Sequence, residues 1–194
     1  MLTLKVNETF YSLQGEGRRA GEASIFIRLA GCDLTCGFCD TEFESGKEMS
    51  PEELAALIKD YPARWIVWTG GEPSLQLTAD HVEFFSGLGY SQAIETNGNN
   101  KAPKGINWVV CSPKVAEHVV AKNFPNGVDE LRYVRHARQV AAPEPKVQAK
   151  DYYISPMFDG DRINEANLRK CIDIVLANPR WKLSLQTHKL LRIL

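Results

Sequence analysis

Short apolar runs recur along the chain, separated by segments with helical periodicity. The runs are rich in β-branched or aromatic side chains, a composition that favours buried strands. We predict strands at 25–29, 65–68, 92–95, 108–111, 131–134, 152–154 and 182–185.

Three of the intervening segments carry apolar residues on one helical face. One begins at Ser50, which is followed by a proline suited to the first helical position and by the capping-box glutamate Glu53. The other two are predicted over 78–88 and 164–177. Strands that alternate with helices indicate a parallel sheet.

Polar or glycine-containing groups follow the carboxyl ends of almost all the predicted strands. Parallel α/β sheets and barrels bind their ligands at that edge. A complete eightfold barrel needs about 250 residues, whereas this chain has 194. We therefore predict an α/β fold built as an incomplete barrel, in a single domain covering residues 1–194. The groups are GCDLTC at 31–36, TGGEP at 69–73, TNG at 96–98, SPK at 112–114, SPM at 155–157 and QTHK at 186–189.

The composition, 44% hydrophobic and 24% charged residues, is typical of a soluble globular protein. With 23 basic and 24 acidic residues, the net charge of -1 argues against a large nucleic-acid footprint. No segment approaches the roughly 18 apolar residues of a membrane span, and the first residues lack a signal-peptide core. We expect a cytoplasmic protein without nucleic-acid or membrane partners.

Three of the five cysteines, Cys32, Cys36 and Cys39, are crowded into one short segment. A secreted disulfide framework usually has an even, dispersed set, so we interpret these thiols as metal ligands. A structural zinc site needs four ligands, and the sequence offers no second cysteine pair. A 4Fe-4S cluster held by three cysteines leaves one iron open to a cofactor. The cluster is favoured over zinc and over coincidental core cysteines.

The spacing Cys32-x3-Cys36-x2-Cys39 resembles the signature of the radical S-adenosylmethionine (SAM) superfamily. The resemblance implies a partial TIM-like barrel with outer helices, in which SAM binds the open iron and is cleaved to a 5'-deoxyadenosyl radical. The TGGEP group resembles the superfamily motif that receives the methionyl amino group, where glycine permits close backbone approach. Activases that generate a glycyl radical on a partner protein share this cysteine spacing and are the alternative interpretation.

A wider set of motifs resembles the 7-carboxy-7-deazaguanine synthase family, from about residue 6 to the C-terminus. The resemblance implies a carbon-nitrogen lyase that converts 6-carboxy-5,6,7,8-tetrahydropterin to 7-carboxy-7-deazaguanine with loss of ammonia, in queuosine and 7-deazapurine biosynthesis. It implies hydrogen abstraction from C6, rearrangement and regeneration of SAM. The activases are not expected to share the first or last motif. The motifs are FYSLQGEG at 10–17, FIRLAGC at 26–32, CDT at 39–41, IETNG at 94–98, SPK at 112–114 and QTHK at 186–189.

The resemblance assigns a role to each matching residue. Arg28 would receive the substrate carboxylate in its planar fork, and Thr41 would bind Mg²⁺ together with that carboxylate. The cluster ligands would be Cys32, Cys36 and Cys39. The SAM contacts would be Phe38, Cys39, Asp40, Gly71, Ser112, Pro113, Lys114, Gln186, Thr187, His188 and Lys189. The substrate contacts would be Leu13, Gln14, Gly15, Arg28 and Thr69.

Other polar residues near these motifs receive no catalytic role. For His188, two interpretations stay open, a SAM contact and a partner for a backbone carbonyl. The resemblance also implies a homodimer and an electron donor such as a flavodoxin or ferredoxin. Glu16, Asp40, Glu72 and Glu95 are expected to be solvated or to support neighbours by hydrogen bonds, His81, His118 and His136 to lie on the surface, and Cys111 and Cys171 to be buried structural thiols.

Overall fold

The computed structural model describes residues 3–37, 39 and 41–194. Phe38 and Asp40, two of the predicted SAM contacts, lie outside the described residues. The strands are β1 (Leu4–Leu13), β2 (Ala23–Leu29), β3 (Lys47–Met49), β4 (Trp65–Gly70), β5 (Ser91–Thr96), β6 (Trp108–Cys111), β7 (Val128–Arg135), β8 (Ala149–Pro156) and β9 (Lys182–Leu183). The helices are α1 (Pro51–Ile58), α2 (Ala79–Gly87), α3 (Glu117–Asn123), α4 (Glu165–Ala177) and α5 (Thr187–Leu191), with a 3₁₀ turn at Pro73–Leu75.

The chain divides into two compact units according to its internal contacts. The first contains the described residues of Met1–Ser12, Ala23–Thr96 and Asn100–Val109. The second contains Leu13–Glu22, Asn97–Asn99 and Val110–Leu194. The single domain expected from chain length stays a prediction.

In the first unit the strand order is β3-β1-β2-β4-β5. Strand β4 pairs in parallel with both β2 and β5, as the alternation of strands and helices predicts, whereas β3 pairs antiparallel to β1. Alternate residues of each strand point to opposite faces of the sheet. On one face the sheet packs against α1 and α2 in an apolar cluster that includes Ile25, Ile27, Leu54, Ile58, Ile66, Trp68, Val82, Phe85 and Ile94.

In the second unit the end of β6 (Val110 and Cys111), β7, β8 and β9 follow one another and every pairing is parallel. The register places Glu130 beside Asp151 and Arg132 beside Tyr153. Paired residues of parallel strands share a face, so one face of β7 and β8 carries buried charged groups. The opposite face carries Leu131 and Ile154, both fully buried.

The three helices predicted from periodicity are all present. Ser50 caps α1, and the capping box with Glu53 forms as the sequence predicts. Thr78 caps α2 and Asn164 caps α4. In the described residues, no helix has both the length and the apolar character needed to cross a bilayer.

The expectation that His81 lies on the surface is wrong. His81 is fully buried in α2, three residues after the N-cap Thr78. The Thr78 backbone amide donates to His81 Nδ1 at 3.1 Å, and the Thr78 side chain accepts from the His81 amide. The imidazole takes the role that a glutamate usually has in a capping box.

Helix α1 offers a direct test of this packing. Leu54 is completely buried in the core cluster, whereas Leu57 on the same helix is 57% exposed. We expect Leu54→Ala to lower the free energy of unfolding by about 2–5 kcal/mol, because it leaves a cavity. Leu57→Ala, the matched control, should change it by less than about 0.5 kcal/mol. Urea denaturation of both variants measures the difference, and equal effects would contradict the assignment of this face.

Candidate active site

The cysteine loop follows β2 directly. All three of its thiols are free, with Cys32 and Cys36 half-buried and Cys39 exposed. The Cys39 amide donates to the Cys36 carbonyl at 3.0 Å, which forms a tight turn between the last two cysteines. The Cys39 Sγ lies 3.6 Å from the carbonyl oxygen of Thr41.

The two glycines of TGGEP lie against the backbone that leads into this loop. A Cβ atom added at Gly71 would lie 1.9 Å from the carbonyl oxygen of Gly31, and one added at Gly70 would lie 2.3 Å from that of Leu29. The Gly71 amide donates to the Leu29 carbonyl, and the Glu72 amide to the Gly31 carbonyl, both at 2.9 Å. The glycines are therefore required by contact within the chain itself, and this contact fixes the residue before Cys32.

Glu72 is fully buried directly after this turn. Its Oε1 accepts hydrogen bonds from the Ser74 amide at 3.1 Å, the Ser74 hydroxyl at 2.6 Å and the Thr96 hydroxyl at 2.9 Å. The carboxylate thereby caps the 3₁₀ turn and joins the end of β4 to the end of β5. The expectation of a supporting hydrogen-bond role for Glu72 is confirmed.

The donor set of the loop suits an iron-sulfur cluster, since thiolates are the usual ligands of that group. Among the described residues, no three His, Cys, Asp or Glu side chains converge as they would on a single metal ion. Each thiolate of a cluster binds a different iron, so convergence on one point is not required. Burial raises the pKa of the Cys32 thiol, and the carboxylates of Asp33 and Glu72 raise it further. Metal binding at Cys32 must therefore displace a proton.

Arg28 and Thr69, two predicted substrate contacts, are register partners on β2 and β4. Their side chains share the sheet face opposite the core cluster, because the alternate residue Ile27 belongs to that cluster. The Arg28 guanidinium lies over the ring of Phe10 at 4.9 Å and pairs with the Glu8 carboxylate at 3.0 Å. Sequence reasoning missed Glu8, which no motif marks; only the pairing of β1 with β2 brings the two charges together.

Thr41, the predicted magnesium ligand, is followed by a turn built on Glu42. The Glu42 carboxylate accepts from the Ser45 hydroxyl and the amides of Ser45 and Glu44 at 2.6–2.8 Å. It also accepts from the Asn7 side chain of β1. Hydrogen bonds from Ser45, Glu44 and Asn7 lower the pKa of Glu42 to about 2. The carboxylate is ionised at neutral pH, and it ties the end of the cysteine loop to β1.

The second unit brings the LQG and QTHK motifs into contact. The Gly15 carbonyl accepts from the Thr187 amide at 3.0 Å and from the Thr187 hydroxyl at 2.7 Å. The His188 ring packs so closely on Gly15 that an added Cβ would lie 2.0 Å from Nδ1. Gln14 is buried, and its side-chain oxygen accepts from the Glu16 amide at 3.2 Å. Predicted substrate and cofactor segments therefore form one interlocked surface within this unit.

The SPK motif after β6 lies against Asn97 in the same unit. The Lys114 amide donates to the Asn97 carbonyl at 3.0 Å. The Lys114 ammonium folds back onto Ser112, with the hydroxyl at 2.6 Å and the carbonyl at 3.0 Å. This segment has a defined shape at the carboxyl end of β6, where the sequence predicts a ligand site.

The two remaining cysteines are structural, as predicted. Cys111 in β6 and Cys171 in α4 are both completely buried. Sequence reasoning did not find the partners of Glu16, which pairs with Arg132 at 3.2 Å. Glu16 and Arg132 are 116 positions apart in the chain, so no local sequence pattern indicates that they pair.

The chain is similar to known proteins over most of its length. The family model described as the radical SAM superfamily matches residues 26–132. A 7-carboxy-7-deazaguanine synthase of Bacteroides thetaiotaomicron is 39% identical, with coverage of 97% of this chain and 98% of the relative. One from Caulobacter vibrioides is 36% identical over 98% of this chain and 99% of the relative. The crystal structure of QueE from Escherichia coli superposes with a TM-score of 0.74 at 26% identity, covering 94% of this chain and 93% of that one.

The chain is thus a member of the radical SAM superfamily. The α/β fold of that superfamily, predicted from the cysteine spacing and strand pattern, is confirmed by the family match and the structural superposition. Within the superfamily the chain belongs to the 7-carboxy-7-deazaguanine synthase family. Membership implies a 4Fe-4S cluster and SAM as cofactors.

The contact between Gly71 and Gly31 predicts that Gly71→Ala impairs cluster binding. The new methyl group would force the backbone before Cys32 to move, because the obstructing atom is a carbonyl oxygen. We expect iron and sulfide content, measured after anaerobic reconstitution, to fall at least several-fold. Gly37→Ala in the same loop is the control, since no atom of the described residues lies within 4 Å of its added Cβ. Full cluster content in Gly71→Ala would refute the proposed constraint.

The buried thiol of α4 predicts a pH effect on stability. Burial raises the pKa of Cys171 to about 11, from its ordinary value of 9.0. The folded state favours the neutral thiol. Its contribution to the stability of the fold is therefore complete below pH 9 and is lost as the pH rises through about 11. This loss is of order 2 kcal/mol. The free energy of unfolding of the metal-free chain, measured by denaturant titration between pH 8 and 11, should fall less steeply with pH in Cys171→Ala than in wild type.

Cys39→Ala is the control for this measurement, because its thiol is exposed. It should keep the alkaline decline of the wild type. An unchanged decline in Cys171→Ala would show that other groups cause it.

Proposed function

We propose that this chain is a 7-carboxy-7-deazaguanine synthase, which converts 6-carboxy-5,6,7,8-tetrahydropterin to 7-carboxy-7-deazaguanine with release of ammonia. The observation that carries the proposal is the 39% identity to a protein of that name over nearly the whole of both chains. The curated relatives compared carry the synthase name, so the glycyl radical activase alternative is not favoured.

The cofactor residues are proposed by position. Cys32, Cys36 and Cys39 would hold the cluster, and SAM bound to it would supply a 5'-deoxyadenosyl radical by reductive cleavage. Gly71 would offer its backbone to the methionyl end of SAM. The remaining SAM contacts would come from the SPK segment at 112–114, from the QTHK segment at 186–189, and from Phe38 and Asp40.

The chain's own contribution to substrate binding centres on Arg28 and Thr69. The guanidinium is planar and presents several donors, a geometry that suits the substrate carboxylate. Phe10 packs against one face of the guanidinium and Glu8 accepts from Nη1, so the orientation of Arg28 is already set. Preorganised donors lose less entropy on binding. Leu13, Gln14 and Gly15 would supply further polar contacts to the pterin.

Magnesium is proposed at Thr41. Its support is chemical, since Mg²⁺ prefers oxygen ligands and retains several waters, so that one hydroxyl and a substrate carboxylate suffice. The Glu42 turn holds the residue after Thr41 in place.

An external reductant, such as a flavodoxin or ferredoxin, a homodimeric state and a cytoplasmic location are further proposals. A reducing compartment suits five cysteines that are all free thiols.

A turnover assay tests the function. Reconstituted protein, incubated without oxygen with the carboxypterin, SAM, Mg²⁺ and a reductant, should yield deazaguanine product and ammonia. Cys36→Ala should yield none, because it removes a cluster ligand. Absence of product from a wild-type preparation with full iron and sulfide content would overturn the assignment.

The same assay predicts the effect of Arg28→Gln. Loss of charge-assisted hydrogen bonds to the substrate carboxylate costs roughly 1.5–3 kcal/mol, so the KM for the carboxypterin should rise about 10- to 100-fold. Arg64→Gln, an exposed arginine of the same unit, should keep the wild-type KM. A tetrahydropterin without the carboxylate, tested as a competitive inhibitor, should bind wild type and Arg28→Gln equally. Weaker binding of this inhibitor to Arg28→Gln than to wild type would show that the substrate carboxylate does not bind at Arg28.

A further inference from the structure

Arg132 lies at the centre of a charged network beneath the segment Leu13–Arg18. It projects from β7 and is only 6% exposed. Its Nη1 is 3.2 Å from Glu16 Oε2, and its Nη2 is 3.6 Å from Glu130 Oε2. One guanidinium thus bridges a carboxylate of the loop and a carboxylate of the strand.

The carboxylates joined by Arg132 also hold the loop in other ways. Glu130, 1% exposed, accepts from the Arg18 amide at 3.3 Å. The Ser155 hydroxyl of β8 lies 3.2 Å from Glu16 Oε1. Three successive residues of the loop are therefore fixed, because the Gly17 amide also donates to Ser184 Oγ at 3.0 Å.

Gly17 allows the loop to approach this network. Its φ of +71° is in the left-handed region, and an added Cβ would lie 2.0 Å from Glu130 Oε2 and 3.0 Å from Arg132 Nη2. Gly17, the second glycine of the GEG sequence, thus allows the loop to lie directly against Glu130 and Arg132. Gln14 and Gly15, proposed to bind the pterin, come immediately before this anchored stretch.

A buried arginine between two carboxylates is strongly constrained. Removing one partner of such a network leaves an uncompensated charge in a site with little water. The remaining groups then rearrange to find solvent or new partners, and the loop is the part that can move.

We propose that Arg132 is a positioning residue for substrate binding, which sets the conformation of Leu13–Arg18 through Glu16 and Glu130 without itself contacting the pterin. The proposal rests on the proposed function, because it assumes that Gln14 and Gly15 meet the substrate. A misplaced binding segment weakens substrate binding and leaves the chemical step largely unchanged.

The test compares Arg132→Gln with a matched control on the same two strands. Lys150 of β8 pairs with Asp129 of β7 at 2.6 Å and is 68% exposed. Asp129 and Lys150 alternate with Glu130 and Asp151, so they lie on the other face. For Arg132→Gln we expect the KM for the carboxypterin to rise about tenfold and kcat to stay within about twofold. Lys150→Gln should match wild type in both, and Arg132→Lys, which keeps the charge, should give a smaller rise in KM.

Hydrogen exchange gives a readout that does not depend on the proposed function. The amides of Gly17 and Arg18 should exchange faster in Arg132→Gln than in wild type or Lys150→Gln. Unchanged exchange overturns the inference even if turnover is normal. Absence of wild-type turnover with accelerated exchange in the variant refutes the proposed function and leaves the positioning of the loop established.

Two kinetic outcomes also count against the proposal. A wild-type KM in folded, cluster-loaded Arg132→Gln would overturn it, as would a fall in kcat at constant KM, which would indicate contact with the reacting groups. If Arg132→Gln does not fold, Glu16→Gln decides, because it leaves the pair between Arg132 and Glu130 in place. A several-fold higher KM in Glu16→Gln supports the proposal, and an unchanged KM overturns it.

Discussion

The close approach of Gly71 to the carbonyl of Gly31 is the constraint on which the cysteine loop depends. No side chain fits between these two backbones, and the neighbouring Glu72 amide bonds the same carbonyl. The buried Glu72 carboxylate then reaches Thr96 at the end of β5. Three adjacent strand ends are thus joined by backbone and carboxylate hydrogen bonds. Because the backbone just before Cys32 is held in place, the polypeptide would determine the position of a cluster bound by the loop.

Each of the two compact units holds a loop in place, and the interactions that do so differ between them. In the first, glycine allows main chain to pack directly on main chain. In the second, the loop after β1 lies over buried charges on β7 and β8, where Arg132 satisfies carboxylates from two segments. Backbone packing tolerates no side chain, whereas the charge network tolerates no unmatched charge. Each unit is therefore sensitive to a different kind of substitution.

Features encoded locally were predictable from the sequence. The capping box at Ser50 and the parallel strands with ligand motifs at their ends follow from short-range patterns. The strand β1 was not predicted, although its polar and apolar residues alternate, because Asn7 and Glu8 interrupt its apolar content. Helix α5 overlaps QTHK, whose interpretation as a ligand motif concealed a helix start. The pairs Glu8–Arg28 and Glu16–Arg132 join distant segments, and only the fold reveals them.

The ion pair between Glu8 and Arg28 has a consequence for the charge state of an occupied site. Because Glu8 already neutralises the guanidinium, an incoming carboxylate adds one uncompensated negative charge beside β2. Two carboxylates sharing one arginine repel each other unless another cation is present. The proposed divalent ion, bound by the ligand's own oxygens, would more than offset this negative charge. If the substrate and Mg²⁺ bind at the proposed positions, Glu8 would therefore couple the two binding events, and each would strengthen the other.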